Sequence, residues 1–284
     1  MEYPLIDFDR YFSDYINEWV VSHKQDYHNL EEMEDDMPNI YRRFLSTPAQ
    51  WLDGGIPGEY FARYEDAAGL CEWMCEYNKA EIGAPEQLLN RITELGNEAV
   101  APLMKILKDS TRSKLDKMTA VGLLRELDSE EPMELYVSWQ VKRKQDDELA
   151  DNALESLNNM GMPAVEALRA AFDGANAAGR EAMLDILCRY PGDERVYNET
   201  IKLFRNVKER RAIFAGYLAR LMDERALPAL MKAAKEDDLP YLDFIEIRNA
   251  IEVLGGDPPL REYDDDEGYA AMRAIEDSKY KEEN

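Results

Sequence analysis

The stretch ELGNEAVAPLMKIL, from Glu94 to Leu107, decides the fold because it sets two apolar runs on either side of a glycine. Residues spaced three or four positions apart lie on one face of an α-helix, so each run predicts an amphipathic helix. The two helices would meet in a tight turn at Gly96. The apolar faces are formed by Leu88, Leu89, Ile92 and Leu95 before the turn, and by Val100, Leu103, Met104 and Leu107 after it.

The same hairpin pattern returns further along the chain. LARLMDERALPALMKAA (Leu218–Ala234) and SLNNMGMPAVEALRAAF (Ser156–Phe172) each repeat the apolar run, the turn and the second apolar run. With weaker copies included, turns are predicted near positions 96, 128, 161, 191, 222 and 255, roughly 30 to 33 residues apart. A lone hairpin cannot cover both of its apolar stripes, so neighbouring hairpins are expected to stack. The sequence therefore predicts an all-α repeat protein.

One copy carries a resemblance to a known repeat family. The segment Arg211–Asp238, RAIFAGYLARLMDERALPALMKAAKEDD, has an Ala-rich first helix, an acidic Asp-Glu-x-Ala cap and a second helix that opens on apolar-Pro-x-Leu. It resembles the short HEAT-like repeat of phycobilisome-lyase-type repeat proteins, and the resemblance extends over about residues 85–257. Asp128, Pro191 and Met222 stand at turns where members of that family have glycine. The resemblance implies a right-handed α-solenoid of about five to six HEAT-like helical hairpins.

The sequence divides into three segments. Residues 1–84 form an acidic, aromatic-rich N-terminal helical unit, residues 85–257 hold the repeats, and residues 258–284 form an acidic C-terminal cap or tail. A solenoid needs atypical terminal units with a polar outer face, so both flanks are predicted to be caps.

Three features of the N-terminal unit lead to structural expectations. Phe8, Phe12, Tyr15 and Trp19 step by four, three and four, which predicts a core-facing helical stripe. EEMEDDMP (31–38) is interpreted as a solvated turn. STPAQWLDGGIPGEYF (46–61) is predicted to be a compact loop, in which Trp51 either seals the helices as a plug or contacts a ligand.

Composition excludes several classes of function. The formal charge is −25, and a surface this acidic repels nucleic acid, because DNA and RNA binding depends on Lys and Arg replacing counterions. No run of the sequence reaches the roughly 20 apolar residues of a membrane span. The acidic start MEYPLIDFDR lacks the basic and apolar blocks of a secretory signal. We therefore expect a cytoplasmic protein with no membrane or nucleic-acid partner.

Catalytic and metal-binding motifs are not recognisable in the sequence. It contains no glycine-flanked serine, no phosphate-binding glycine loop and no His-Glu-x-x-His motif. Cys71 and Cys75 are four apart and are suited to half of a zinc site, but no second ligand pair stands nearby. With Cys188, the favoured interpretation is three buried thiols in a reducing compartment. The sequence predicts no enzyme activity, cofactor or metal.

The repeat register predicts a binding surface. The second helices open with acids and close with cations, which is the arrangement that helix caps and dipoles favour. Stacked in parallel, these helices would place an acidic rim on one side and a narrower basic rim on the other. The candidate binding residues near the basic rim of the concave face are Lys105, Trp139, Lys142, Arg143, Arg169, Lys202, Arg205 and Lys232.

The sequence thus favours a non-catalytic adaptor that binds a protein or peptide along the concave face. The chain's own acidic tail, 264–267, is a competing occupant of that face. Two alternatives come from other classes of function. One is an enzyme on HEAT-like repeats, of the DNA-glycosylase or chromophore-lyase kind that the resemblance allows. The other is an acidic inhibitor that mimics nucleic acid, whose binding would weaken steeply with salt.

Overall fold

The computed structural model describes residues 3–23, 25, 27–263, 266 and 268–273. Within those ranges the regular structure is helical, and the only β-type pairing is an isolated bridge between Ala49 and Gly55. No helix in the described ranges is both long enough and apolar enough to cross a membrane. The helices are α1 Phe8–His23, α2 Leu30–Ser46, α3 Ala67–Lys79, α4 Glu86–Glu94, α5 Asn97–Lys108, α6 Lys114–Glu126, α7 Met133–Val141, α8 Glu148–Asn159, α9 Met162–Ala171, α10 Ala177–Leu187, α11 Glu194–Asn206, α12 Arg211–Leu221, α13 Leu227–Ala233 and α14 Tyr241–Val253.

The chain forms two compact units. The first, unit 1, comprises Met1–Met133 and Asp151–Asn159, and the second, unit 2, comprises Glu134–Ala150 and Met160–Asn284. In unit 1, α3 packs against α4, α5 and α6, and α5 packs against α6. In unit 2, α12 packs against α11 and α14, and α13 packs against α14. The fully buried side chains of these helices include Trp73, Tyr77, Leu88, Ile92, Leu103, Leu124, Leu184, Phe214, Leu218, Leu230 and Ile247.

Each of the turns expected from the sequence repeat contains a residue with positive φ. This left-handed conformation reverses the chain at the end of a helix, and glycine adopts it most easily. At two turns a side chain occupies it instead, at Asp128 with φ 50° and at Met222 with φ 54°. Near Pro191 the conformation is adopted by the following residue, Gly192. The glycines with positive φ at the remaining turns are Gly96, Gly161 and Gly255.

The acidic stretch 31–38 is helical, so its interpretation as a solvated turn was wrong. Helix α2 begins after Asn29, whose side chain accepts a hydrogen bond from the backbone N–H of Glu32 at 2.8 Å. Acidic residues in the first turn, here Glu31 and Glu32, interact favourably with the positive end of the helix dipole. Pro38 lies inside the helix and does not end it. The cap and the acids together explain why this polar run is helical.

Aromatic rings fill the space between α1 and the turn that carries Trp51. The Trp51 ring stacks on Tyr11 with centroids 4.2 Å apart and planes 7° apart, and it meets Phe8 edge-on at 5.4 Å. Phe8 is buried, whereas Phe12 and the rest of the predicted core stripe are only half-buried. Trp51 thus packs against α1.

The backbone of Pro4 and Ile6 is hydrogen-bonded to side chains of α3. The indole N–H of Trp73 donates to the Pro4 carbonyl at 3.0 Å, and the Tyr77 hydroxyl donates to the Ile6 carbonyl at 3.1 Å. The Ile6 N–H in turn donates to the Tyr77 hydroxyl at 2.9 Å. Burial raises the pKa of Tyr77 to about 12, so this hydroxyl stays protonated at neutral pH.

The described part of the C-terminal segment folds onto unit 2. Asp266 accepts hydrogen bonds from the backbone N–H groups of Tyr241 and Tyr269, each at 3.1 Å, and these bonds lower the pKa of its carboxyl. Because Tyr241 is the first residue of α14, Asp266 caps that helix from a distant position. Arg261 donates to the carbonyls of Ala234 and Asp237 beyond α13. The other acids of the predicted tail, 264, 265 and 267, lie outside the described residues.

Candidate functional site

The structure distributes the predicted binding residues over both units. Lys105 belongs to unit 1, at the C-terminal half of α5. The other seven belong to unit 2, where they lie near the C-terminal ends of α7, α9, α11 and α13 or in the turn after α7: Trp139, Lys142, Arg143, Arg169, Lys202, Arg205 and Lys232.

Arg143 is buried and is not part of an exposed rim, which corrects its assignment as a binding residue. Only 9% of its surface is exposed. Its guanidinium donates to the side-chain oxygen of Gln140 at 3.0 Å, and its own carbonyl accepts from the side chain of Asn176 at 2.8 Å. These bonds hold the turn after α7 against the start of α10. Arg143 is therefore a structural residue.

Two more of the predicted cations interact with groups of the chain itself. Arg169 donates to the Tyr190 carbonyl at 2.8 Å and pairs with Glu166 at 3.2 Å. Lys202 pairs with Glu199 at 3.2 Å, although its ammonium is largely exposed. Lys142 is exposed, and Trp139 is half-buried against Tyr136. None of these side chains borders the cleft described next.

Arg205 and Lys232 meet at one cleft of about 380 Å³, which we call the α11–α13 cleft. Both lie in the last turns of their helices, where cations suit the negative end of the dipole. Pro228 is the second residue of α13, where a backbone N–H would have no partner within the helix. The cleft is lined by Phe204, Arg205, Arg211, Pro228, Ala229, Lys232, Ala233 and Glu236.

Some charged side chains of the α11–α13 cleft are ion-paired and others are not. Buried Arg211 pairs with Glu236 at 2.8 Å and also donates to the Phe204 carbonyl at 3.3 Å. Glu236 pairs with Lys208 as well, at 3.1 Å, and the hydrogen bond from Arg211 is the main reason why its carboxyl pKa is lowered. In contrast, Arg205 and Lys232 are exposed and form no ion pair within the described ranges. The cleft therefore offers two free cations beside an apolar floor.

A second cleft, of about 790 Å³, lies along α5 in unit 1. Val100 and Met104 form its apolar part, and Lys105 and Lys108 are exposed beside them without an ion pair among the described residues. Glu131 and Asp109 line its edge. Of the predicted binding residues, only Lys105 borders this cleft.

The acids at the start of α11 and α13 form part of an alternating row of charges. Arg225 pairs with Asp223 at 2.6 Å and with Glu194 at 2.8 Å, and its guanidinium lies 4.4 Å from the centroid of the Tyr197 ring. Hydrogen bonds from Arg225 lower the pKa values of both carboxyls. One arginine thus pairs with two carboxylates, so this part of the predicted acidic rim is half neutralised and stays acidic.

The preceding turn repeats the arrangement. Arg195 pairs with Asp193 at 2.7 Å and with Asp173 at 2.8 Å. Asp193 also caps α11 and Asp223 caps the 3-10 turn Glu224–Ala226 before α13, each accepting from the backbone N–H of the arginine two positions later. The sequence analysis missed these arginines, although the recurring tripeptide Asp-Glu-Arg at 193–195 and 223–225 signals them.

The three cysteines are free and buried. Burial is the main cause that raises the pKa of each thiol to about 12. In the part of the chain that the structure describes, no group of His, Cys, Asp and Glu is arranged to hold a metal ion. The thiols are thus protonated side chains of the core at neutral pH.

Comparisons with known proteins add no relative from which an activity could be assigned. The chain matches no protein-family model, no curated protein and no solved structure. The HEAT-like resemblance therefore stays a prediction that depends on the repeated sequence pattern. Function has to be inferred from the clefts and charges described above.

Proposed function

We propose that the protein is a non-catalytic adaptor whose HEAT-like hairpins form a right-handed α-solenoid and whose concave face binds a partner protein. In this proposal the partner contributes an acidic segment that lies in the α11–α13 cleft. The observation that carries the proposal is the pair of exposed cations, Arg205 and Lys232, which have no ion pair among the described residues and lie beside an apolar floor. The cleft lies between the second helices of consecutive hairpins, which would line the concave wall of a solenoid.

The cleft suits an acidic segment despite the charge of −25. At physiological salt, interactions between exposed charges are screened beyond about 8 Å, so the nearest side chains dominate the local potential. Three cations, Arg205, Arg211 and Lys232, line the cleft with a single carboxylate, Glu236, and that carboxylate is already paired. A partner carboxylate placed here would face positive charge.

The apolar floor adds selectivity to this charge. Pro228, Ala229 and Ala233 present small side chains, and Phe204 is buried beneath them. An apolar side chain of the partner can therefore lie between the two cations while its neighbouring acids pair with them. Arg205 can contact a carboxylate with two parallel N–H groups, whereas Lys232 acts as a point charge.

The described part of the chain's own tail has a different location. Asp266 is held by the backbone N–H groups at the start of α14, where it caps that helix. Its carboxylate is thereby used in the fold. The cleft can accept an external segment without displacing this contact.

Binding of a defined acidic probe tests the proposal. The probe is a fluorescein-labelled peptide of alternating aspartate and leucine, titrated into the full chain while its fluorescence anisotropy is recorded. The test variant is Arg205→Glu/Lys232→Glu. The control variant is Lys79→Glu/Arg248→Glu, which makes the same change in net charge at exposed cations outside the cleft.

We expect wild type and control to bind the peptide and the test variant to lose at least about tenfold in affinity. Binding should also weaken with salt. Equal weakening in both variants would show that net charge alone governs binding. A wild type that does not bind the peptide would remove the cleft as the acidic-segment site.

A further inference from the structure

Helix α1 presents a face on which aromatic rings and carboxylates alternate. Tyr11, Asp14, Tyr15 and Glu18 stand at positions i, i+3, i+4 and i+7, which share one side of an α-helix. With Trp51 and the turn 47–50, they line a cleft of about 260 Å³ within unit 1. We call it the α1 aromatic cleft. It is independent of the basic cleft in unit 2.

The rings of this cleft are held in place by packing. Trp51 stacks on Tyr11 with centroids 4.2 Å apart, and Tyr15 packs at 5.5 Å against Phe44, which is buried. Tyr11, Tyr15 and Trp51 are each half-buried, so part of each residue remains accessible. The face of an aromatic ring carries partial negative charge and attracts cations.

The two carboxylates of the cleft have no cationic partner among the described residues. Asp14 and Glu18 are exposed and make no ion pair among the described residues, and neither Lys nor Arg lines the cleft. Two other half-buried rings of this unit, Trp19 and Tyr60, have a cation supplied by the chain. Arg43 lies 5.0 Å from the centroid of Trp19, and Arg63 lies 5.1 Å from that of Tyr60.

A guanidinium fits this combination of groups better than an ammonium does. It is planar, so it can stack on a ring while its N–H groups donate to a carboxylate beside that ring. The excess of acidic side chains in this part of the chain favours any basic segment. Residues 1–80 contain 17 acidic and 6 basic side chains, so this part of the chain attracts basic segments.

We propose that the α1 aromatic cleft binds an arginine side chain in a basic segment of a partner protein. The guanidinium lies against the accessible part of Tyr15, beside Trp51, and donates hydrogen bonds to Asp14 and Glu18. This site is separate from the proposed acidic-segment site, and it would give the protein two docking sites of opposite charge preference.

Calorimetric titration of the full chain with a short Arg-Gly-Ser repeat peptide tests this proposal. The test variant is Asp14→Asn/Glu18→Gln, which removes both carboxylates and leaves the rings in place. The matched control is Glu126→Gln/Glu130→Gln, which removes two exposed carboxylates of the same unit that lie outside the cleft and make no ion pair with a described residue. A Lys-Gly-Ser repeat peptide and spermidine serve as alternative ligands, and Arg205→Glu/Lys232→Glu serves as an independent variant.

We expect the test variant to bind the arginine peptide roughly fivefold more weakly than wild type, while the control and the α11–α13 variant bind as wild type does. The arginine peptide should bind more tightly than the lysine peptide or spermidine. Three results would overturn the proposal. They are absence of binding to wild type, equal weakening in test and control variants, and equal affinity for arginine and lysine peptides.

Discussion

The backbone carbonyl of Gln140, in α7, lies against the Cα of Gly179, in the space that a methyl side chain would occupy. The two helices approach this closely because Gly179, in the first turn of α10, has no side chain. Asn176 caps α10 by accepting from the Gly179 N–H at 2.8 Å, and the Asn176 N–H donates to the Val141 carbonyl at 3.1 Å. One glycine thus sets how closely α10 packs against the end of α7 in unit 2.

Replacing Gly179 with alanine should destabilise the protein by about 1 to 3 kcal/mol, because the backbone of Gln140 has to move away. The matched control is Gly216→Ala in α12, where a new methyl group would meet no atom within 4 Å. That change should stabilise by about 0.5 to 1 kcal/mol, since alanine favours the helix. Urea unfolding of the two variants should give shifts of opposite sign. Shifts of the same sign would contradict this account of Gly179.

The left-handed turns provide a second test, which concerns backbone strain. Gly161 has φ 67° and ψ −140° in open space, so Gly161→Ala should lose about 1 to 3 kcal/mol from conformation alone. Met222 has φ 54° and an exposed side chain, so Met222→Gly should be neutral or stabilising by up to about 1 kcal/mol. Thermal unfolding measures both. A Gly161→Ala variant as stable as wild type would refute the strain at that turn.

The cysteine thiols should react very slowly with thiol reagents while the protein is folded. With each thiol pKa raised to about 12 by burial, on the order of one thiol in ten thousand is ionised at pH 8. Native protein should therefore react very slowly with Ellman's reagent. Denatured protein should rapidly give the absorbance change expected for three thiols. Rapid reaction of one native thiol would place that cysteine outside the core. Cys→Ser variants would identify which one it is.

Glu236 should make stability depend on pH. Its folded pKa lies below its ordinary value of 4.5, so its pair with Arg211 stabilises the fold fully above that value and less as the pH falls through the folded pKa. Glu236→Gln should cost about 1 kcal/mol at pH 7, because the carboxylate is partly exposed to water. The difference from wild type in urea unfolding should shrink below pH 4. A difference that stays constant with pH would contradict the role of this charge.

The periodic parts of the sequence were the most predictable. Apolar residues at helical spacing, such as Leu103 and Leu107, are buried where the stripe expects them, because burial of one face is what selects that pattern. The positions of the helix ends could also be predicted, since the turns recur at even spacing. The stretch 31–38 was misinterpreted because its acids and Pro38 suggest a loop, whereas the Asn29 cap and the helix dipole favour α2.

The candidate site was less predictable than the helices. Sequence register places Arg205 and Lys232 near the ends of their helices, but it cannot show that Arg143 is turned inward or that Arg211 engages Glu236. These outcomes depend on which carbonyl or carboxylate a long side chain reaches across the fold. Periodicity contains no information about such contacts, because it reports only which side of a helix a residue occupies.

The bonds from Trp73 and Tyr77 to the first residues of the chain also have a consequence for the order of events during synthesis. Trp73 is 69 positions from Pro4 and Tyr77 is 71 positions from Ile6, so residues 4 and 6 are synthesised well before the side chains that bind them. Until α3 emerges from the exit tunnel, the aromatic side chains of α1 have only part of their final packing. The nascent chain therefore passes through a stage in which these rings are exposed to solvent and accessible to chaperones.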